Sequence, residues 1–369
     1  MRIGLIVTGG VDRSGRERVT PALLWLIERL ARRHELHVFA LHYYDRPCNY
    51  SLLGATVYDI GRIDGPPGLR RWRVRRRLAQ TLARVGTFDV LHAYMGVPAI
   101  VTAPIAARLR VPFIASLDSG EFVAIDDIDY GLQRRWIDRR ALTQMIGTAG
   151  AVTVSTRFMA EQAARAGITA TIVPIGIDTN VFPLVKRDDG PPWRLLRVGS
   201  LNRVKDYPTL LAAVRSILDR GEPVHLDVVG EDTLNGATEA LATSLDLAPH
   251  VTFHGVKPID QLAAFYARAH VHVVSSRHEA ASVAVLEAAA TGLPTVGTRV
   301  GYVADWSPDR AAAVPVGDSN ALSEAIIALL QDPARRQQLA QQARAWTLAH
   351  DADWTAAQYD ALYRRVATR

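Results

Sequence analysis

Short apolar, β-branched runs alternate with longer amphipathic stretches along this 369-residue chain, and the alternation runs through twice. In the first half the strand candidates are 2–7, 35–41, 55–60, 88–94, 112–117, 151–155 and 171–176. Between them lie helical patterns such as 18–33, where Leu23, Leu26, Ile27 and Leu30 fall on one face. The stretch 183–192 then packs three prolines and four charges into ten residues and reads as a linker. After it the pattern restarts, with strand candidates at 194–200, 224–230, 251–255, 270–276, 294–298 and 312–317. Strand-helix alternation of this kind calls for parallel sheets covered by helices on both faces, and the length suits two such units. The expected fold class is therefore α/β, with two doubly wound Rossmann-like domains facing each other across a cleft. The expected domains are 1–182 and 193–351. The last segment, 352–369, is expected to pack back onto the first domain as a helix, with Trp354, Tyr359 and Leu362 as anchors. In open sheets of this type ligands bind beyond the carboxyl ends of the strands.

Residues 277–298 carry the strongest chemical signal. A strand leads into a loop with Glu279, then a helix that ends at Gly292 and Pro294. Ser282 is expected to cap that helix, which would start at Val283 and offer free N–H groups to a phosphate. Glu279 and Glu287 flank the site, and carboxylates there suit vicinal sugar hydroxyls better than phosphates. A plain crossover with two surface acids remains open on these residues alone. Upstream, the loop after 194–200 carries Gly199, Arg203 and Lys205, cations placed to neutralise a diphosphate. In the first half, Gly9 and Gly10 follow the first strand and let backbone approach a ligand. They do not form the dinucleotide fingerprint, which argues against a dehydrogenase.

At these stretches the sequence resembles the retaining GT-B glycosyltransferases of family 4, also called group 1. Glu279 to Glu287 looks like that family's E-x7-E motif, and 198–206 (VGSLNRVKD) looks like its G-x-L-x-x-x-K loop. Weaker likenesses in the same order occupy 154–182, 228–234 and 251–276. The resemblance implies Glu279 on the donor sugar, Glu287 on the nucleotide ribose, and Lys205 with Arg203 on the diphosphate. It further implies backbone N–H groups of Ala281, Ser282 and Val283 on phosphate oxygens, Val256 against the base, and Gly9 and Gly10 near donor phosphate or acceptor. Glu279, Lys205 and Asp118 would be the catalytic set, with no metal needed. The sequence departs from the family at Asp118 and Tyr94, where histidines often stand, and at Ile175 and Ala280 to Ser282.

The implied function is transfer of a hexose-type sugar from a nucleotide diphosphate to a cell-envelope, lipid or small-molecule acceptor. A UDP-sugar is the first expectation and a GDP-sugar the second. The alternatives are an inactive nucleotide-sugar-binding partner subunit and a sugar-nucleotide epimerase. The formal charge is +6, and six arginines at 70–77 have no acid among them, which suits an anionic membrane surface or acceptor. No nucleic-acid recognition motif accompanies them. One cysteine, Cys48, cannot form an internal disulfide, and no Cys/His cluster has zinc spacing. The opening MRIGLIVTGG has too short an apolar run for a signal peptide, so the expected setting is cytoplasmic, peripheral to the inner face of the membrane.

Overall fold

Strand β1 (Arg2–Val7) is buried from Ile3 onward, as a strand must be when helices cover both sides of its sheet. The computed structural model describes residues 1–188 and 190–368 and places β1 inside an eight-stranded sheet. Its companions are β2 (Glu35–Ala40), β3 (Cys48–Leu52), β4 (Ala55–Asp59), β5 (Val90–Tyr94), β6 (Phe113–Ser116), β7 (Ala151–Val154) and β8 (Thr171–Ile172). The order is β3-β4-β2-β1-β5-β6-β7-β8, and every pairing is parallel except β3 with β4. Around it run α1 (Pro21–Ala31), α2 (Pro67–Val85), α3 (Gly96–Leu109), α4 (Trp136–Ile146) and α5 (Arg157–Arg165). Leu23, Leu26, Ile27 and Leu30 of α1 are all buried against this sheet.

A second, six-stranded parallel sheet is made by β9 (Trp193–Val198), β10 (Val224–Val229), β11 (Val251–Phe253), β12 (Val271–Val274), β13 (Thr295–Thr298) and β14 (Ala312–Val314). Its order is β11-β10-β9-β12-β13-β14. The helices are α6 (Tyr207–Asp219), α7 (Ala237–Ser244), α8 (Ile259–Arg268), α9 (Val283–Ala290), α10 (Gly301–Trp306), α11 (Ser319–Gln331) and α12 (Pro333–Ala349). The last helix, α13 (Ala352–Ala367), belongs with the first sheet, so one compact unit is Met1–Gly176 plus the chain from Ala352, and the other is Ile177–Asp351.

The physical tie is a buried polar network. Tyr363 Oη lies 2.8 Å from Nδ1 of His92 on β5, and Ser116 Oγ lies 2.7 Å from His92 Nε2 and 2.9 Å from Tyr359 Oη. Tyr359 and Leu362 anchor α13, whereas Trp354 is only half-buried and does not join that core cluster. A helical period identifies a face, but cannot say which aromatic on it reaches the sheet.

Three expectations need correction. Strand β3 has no counterpart among the expected strands, because its first four residues alternate between half-buried and exposed and include Asn49 and Ser51. The strand expected over 171–176 stops at Ile172, since Pro174 has no N–H to continue a ladder. The stretch 183–192 is not a linker between units but part of the second one. There the Arg187 side chain donates to the carbonyl oxygens of Val185, Tyr266, Ala269, Thr291 and Gly292. Four of these carbonyls lie at the carboxyl ends of α8 and α9, so charge here assists packing. Residue 189 of that stretch and residue 369 of the expected final helix lie outside the described residues. Among the described residues no helix is long and apolar enough to cross a membrane.

Candidate functional site

In the second sheet the strand order reverses between β9 and β12, which lie side by side although three helices separate them in sequence. Ligands in open parallel sheets settle outside such a switch point, at the carboxyl ends of the strands. The loop after β9 carries Lys205 and the loop after β12 carries Glu279, so the switch point brings the two together. Hydrogen bonds stitch the loops: Arg277 N donates to Val204 O at 2.8 Å, and Ser275 Oγ donates to Lys205 O at 2.7 Å. Asn202 Oδ1 accepts from Lys205 N, closing the short turn that presents the lysine. The close approach also needs Gly230 at the end of β10, where an added Cβ would lie 2.1 Å from Gly199 O.

Lys205 Nζ stands 2.6 Å from Glu279 Oε1, and Ser276 Oγ donates to the same oxygen at 2.7 Å. Behind them lies Arg197, a β9 side chain with no solvent exposure. Its Nη2 donates to Ser276 Oγ at 2.7 Å and lies 3.9 Å from Glu279 Oε1. Burial alone would push the Glu279 carboxyl up; the charges of Lys205 and Arg197 and the two hydrogen bonds outweigh it and hold the group below its ordinary range. Glu279 is therefore an ionised, fixed acceptor. Arg197 was missed in the sequence, where a lone arginine in an apolar strand carries no sign of what it will face.

Helix α9 starts at Val283 beside this cluster. Ser282 precedes it with φ 76° and makes no side-chain cap bond, so the capping role expected of it is not realised. With its side chain out of the way, the first turn of α9 keeps its N–H groups for another acceptor. Ala281 is buried and its carbonyl accepts from Tyr302 N at 3.1 Å, which leaves Ser282 and Val283 half-buried at the surface of the loop. Glu287 is 4% exposed and turns toward α8, where the Tyr266 hydroxyl donates to its Oε2 at 2.6 Å. Burial pushes this carboxyl up to about 7, with the tyrosine pulling the other way. Arg203 is exposed within the Lys205 turn. Val256 is 65% exposed just beyond β11, on a loop tied to the end of β10 by the bond from Gly230 N to Gly255 O.

In the first unit the corresponding reversal lies between β1 and β5. Gly9 and Gly10 follow β1 and line a cavity of about 360 Å³ with Thr20, His42, Tyr43 and Tyr94. A Cβ on Gly9 would meet the Tyr43 ring at 2.8 Å, and one on Gly10 would meet Thr20 Oγ1 at 2.3 Å. An adjoining cavity of about 520 Å³ shares His42 and Tyr43 and is lined by Arg62, Arg70, Arg71 and Arg135 together with Asp45, Asp64 and Asp138, of which Asp64 pairs with Arg62 and Asp138 with Arg71.

Asp118 sits at the end of β6, where its Oδ1 accepts from Ser155 N at 2.7 Å and Ser155 Oγ at 2.5 Å. Burial pushes it up to about 7 against those bonds, so near neutral pH it holds a proton part of the time. In its protonated form the group donates as well as accepts. Its neighbour Glu121 is structural: its two oxygens accept from Gly96 N at 2.8 Å and Ser119 N at 2.7 Å, pinning the first turn of α3.

A further cavity of about 670 Å³ lies at the amino ends of β12 and β13, lined by His270, Pro294 and α12, at the opposite edge of the sheet from Lys205. Among the described residues no group of three His, Cys, Asp or Glu side chains is placed to hold a metal ion.

Residues 19–176 match the family described as glycosyl transferase 4-like domain, and residues 183–346 match glycosyl transferases group 1. A D-inositol 3-phosphate glycosyltransferase of Corynebacterium urealyticum is 29% identical over 180 residues, which is 46% of this chain and 42% of that protein. A GDP-mannose-dependent phosphatidylinositol monomannoside mannosyltransferase of Mycolicibacterium smegmatis is 25% identical over 347 residues, covering 87% of this chain and 88% of that one. Among solved structures, sucrose-phosphate synthase from Thermosynechococcus elongatus superposes with a TM-score of 0.84 at 20% identity over 99% of both chains. The Anabaena protein HepE in complex with UDP-glucose gives 0.74 at 15%, over 99% of this chain and 100% of that one. With both halves matched by this family's descriptions and the fold shared along the full length, the chain belongs to the group 1 glycosyltransferases of GT-B fold.

Proposed function

We propose that the protein is a retaining glycosyltransferase that moves a hexose from a nucleotide diphosphate to an acceptor carrying an anionic group. The observation that carries this reading is the Lys205–Glu279 pair beside the first turn of α9, at the switch point of the second sheet. The diphosphate binds to Lys205, Arg203 and the N–H groups of Ala281, Ser282 and Val283, which meet the negative charge that grows as the glycosidic bond to phosphate breaks. Glu279, fixed and ionised, accepts from hydroxyls of the donor sugar. Glu287 holds the ribose and Val256 lies against the base. The leaving phosphate takes the proton from the attacking hydroxyl on the same face, so configuration is retained.

The acceptor binds in the first unit, near Gly9 and Gly10. Asp118, able to donate as well as accept near neutral pH, contacts one of its hydroxyls. In the cavity next door, Arg70 and Arg135 stand beside the two arginines paired to Asp64 and Asp138, which supports an acceptor with a phosphate or similar group. Arg70 to Arg77 favour contact with an anionic membrane. Relatives named for inositol phosphate and phosphatidylinositol mannoside acceptors agree with this class, and those named for GDP-mannose or bound to UDP-glucose leave UDP and GDP as the donors to compare.

The test is thermal unfolding with UDP, GDP and ADP, for the wild type and Lys205→Ala. Ligand at about 100 times its dissociation constant stabilises the folded state by about 2.7 kcal/mol, a shift of a few degrees. A shift with one nucleotide that is lost in the variant supports the reading and names the donor class. No shift with any of the three overturns it.

A further inference from the structure

Helix α2 buries Val74, Leu78 and Leu82 and turns its opposite side outward. On that outward side Leu69 is 44% and Trp72 is 47% exposed, with the Arg76 guanidinium 5.5 Å above the Trp72 ring. Helix α4 repeats the arrangement: it buries Leu142 and Met145 and leaves Trp136 67% and Ile137 46% exposed in its first turn. The tripeptide Arg-Arg-Trp occurs twice, at 70–72 within α2 and at 134–136 leading into α4.

The two helices are joined by Arg71 Nη2 to Asp138 Oδ1 at 2.5 Å. Both line a cavity of about 330 Å³ whose wall is Ile100, Val101 and Pro104 of α3. Asp138 is the sole acid on either helix, and it is buried in that bridge. Arg134 is occupied by Asp126 and Asp129. Arg73, Arg75, Arg76, Arg139 and Arg140 are exposed beside the two tryptophans.

We propose that the α2–α4 face docks on an anionic lipid bilayer, with Trp72 and Trp136 entering the headgroup layer and the arginines bound to lipid phosphates. This deepens the acceptor reading above and rests on it for its purpose, since a membrane-borne acceptor needs its enzyme at the surface. The chemistry selects the bilayer over other polyanions. Arginine alone would serve any of them, and aromatic rings with arginine would serve single-stranded nucleic acid. Leu69 and Ile137 beside the rings offer bases nothing to stack on. They suit the acyl boundary, where amphipathic tryptophan rings and aliphatic side chains settle together beneath a basic rim.

The experiment is co-sedimentation of the full chain with vesicles of phosphatidylcholine alone or mixed with phosphatidylglycerol, at low and high salt. The variants are Trp72→Ala/Trp136→Ala and Arg73→Glu/Arg76→Glu, and all four side chains that change are exposed and lie in the first unit, away from the nucleotide site. Binding should rise about tenfold with the anionic lipid at low salt and fall back at high salt. Each double variant should lose most of that gain, while wild-type tryptophan emission shifts to the blue on vesicle binding. Equal binding to both vesicle types overturns the proposal. So does binding that the tryptophan variant retains in full, or that a single-stranded oligonucleotide matches with the same dependence on the rings. The nucleotide-induced thermal shift of each variant reports a separate site, so its absence from the wild type would overturn the transferase reading without touching this result.

Discussion

Lys205 Nζ and Glu279 Oε1 are 2.6 Å apart, so the cation proposed for the diphosphate is already held by the carboxylate proposed for the sugar. Replacing Glu279 by Gln removes the competing charge while keeping a hydrogen-bond acceptor. We expect free UDP or GDP to bind as tightly as before or more tightly, while transfer falls about 10²-fold through loss of the sugar contact. Calorimetric titration with the nucleotide and initial rates with the nucleotide sugar measure the two effects separately. Loss of nucleotide affinity together with activity would instead make Glu279 a support for the loop.

Lys205→Ala should act on the other side of the reaction. It withdraws a charge from the leaving group and leaves Glu279 without its strongest partner in a buried setting. Transfer should fall by about 10²- to 10³-fold, with nucleotide affinity falling too. Single-turnover rates at saturating donor distinguish this from weak binding alone.

The Glu287 carboxyl is pushed up to about 7 by burial, so the folded chain holds its proton more tightly than the unfolded chain does. Its contribution to stability is complete below the ordinary carboxyl range and is lost as pH rises through about 7. Relative to Glu287→Gln, the wild type should lose about 3 kcal/mol across that window. Urea unfolding of both proteins at intervals from pH 4.5 to 8 measures the difference. A flat difference would mean that the carboxyl is already ionised inside the fold.

Tyr363→Phe leaves His92 Nδ1 buried without the hydroxyl that it faces at 2.8 Å. The expected cost is about 1–3 kcal/mol, confined to the first unit. Denaturant unfolding should show the loss, while the nucleotide-induced shift, which reports on the second unit, keeps its size.

Much of this architecture was legible because both sheets, β3 apart, are parallel and buried on both faces, so their strands read as unbroken apolar runs. Strand β3 escaped for the opposite reason: as an antiparallel edge strand it alternates and carries little apolar weight. In the site, Lys205 and Glu279 were legible from their loop positions after strands. Arg197 was not, since what marks it is the company of Ser276 and Glu279, 79 and 82 residues away in sequence. Ser282 was legible as to place but not geometry, because composition favours a capping serine while the positive φ turns its side chain away. The stretch around Arg187 misled because proline and charge usually mark solvent, and nothing local reveals five carbonyls waiting for one guanidinium.

The attachment of α13 to β5 and α1 carries a consequence for synthesis. Every residue of the second unit is translated before the helix that completes the first, so the nascent first unit emerges with the side of β5 and α1 meant for Tyr359, Leu362 and Tyr363 still uncovered. The order of completion is then the reverse of the order of emergence: the second unit's sequence is complete at Asp351, while the first still lacks the residues from 352 onward. A chain truncated after Asp351 should show a protease-resistant second unit and a labile first one.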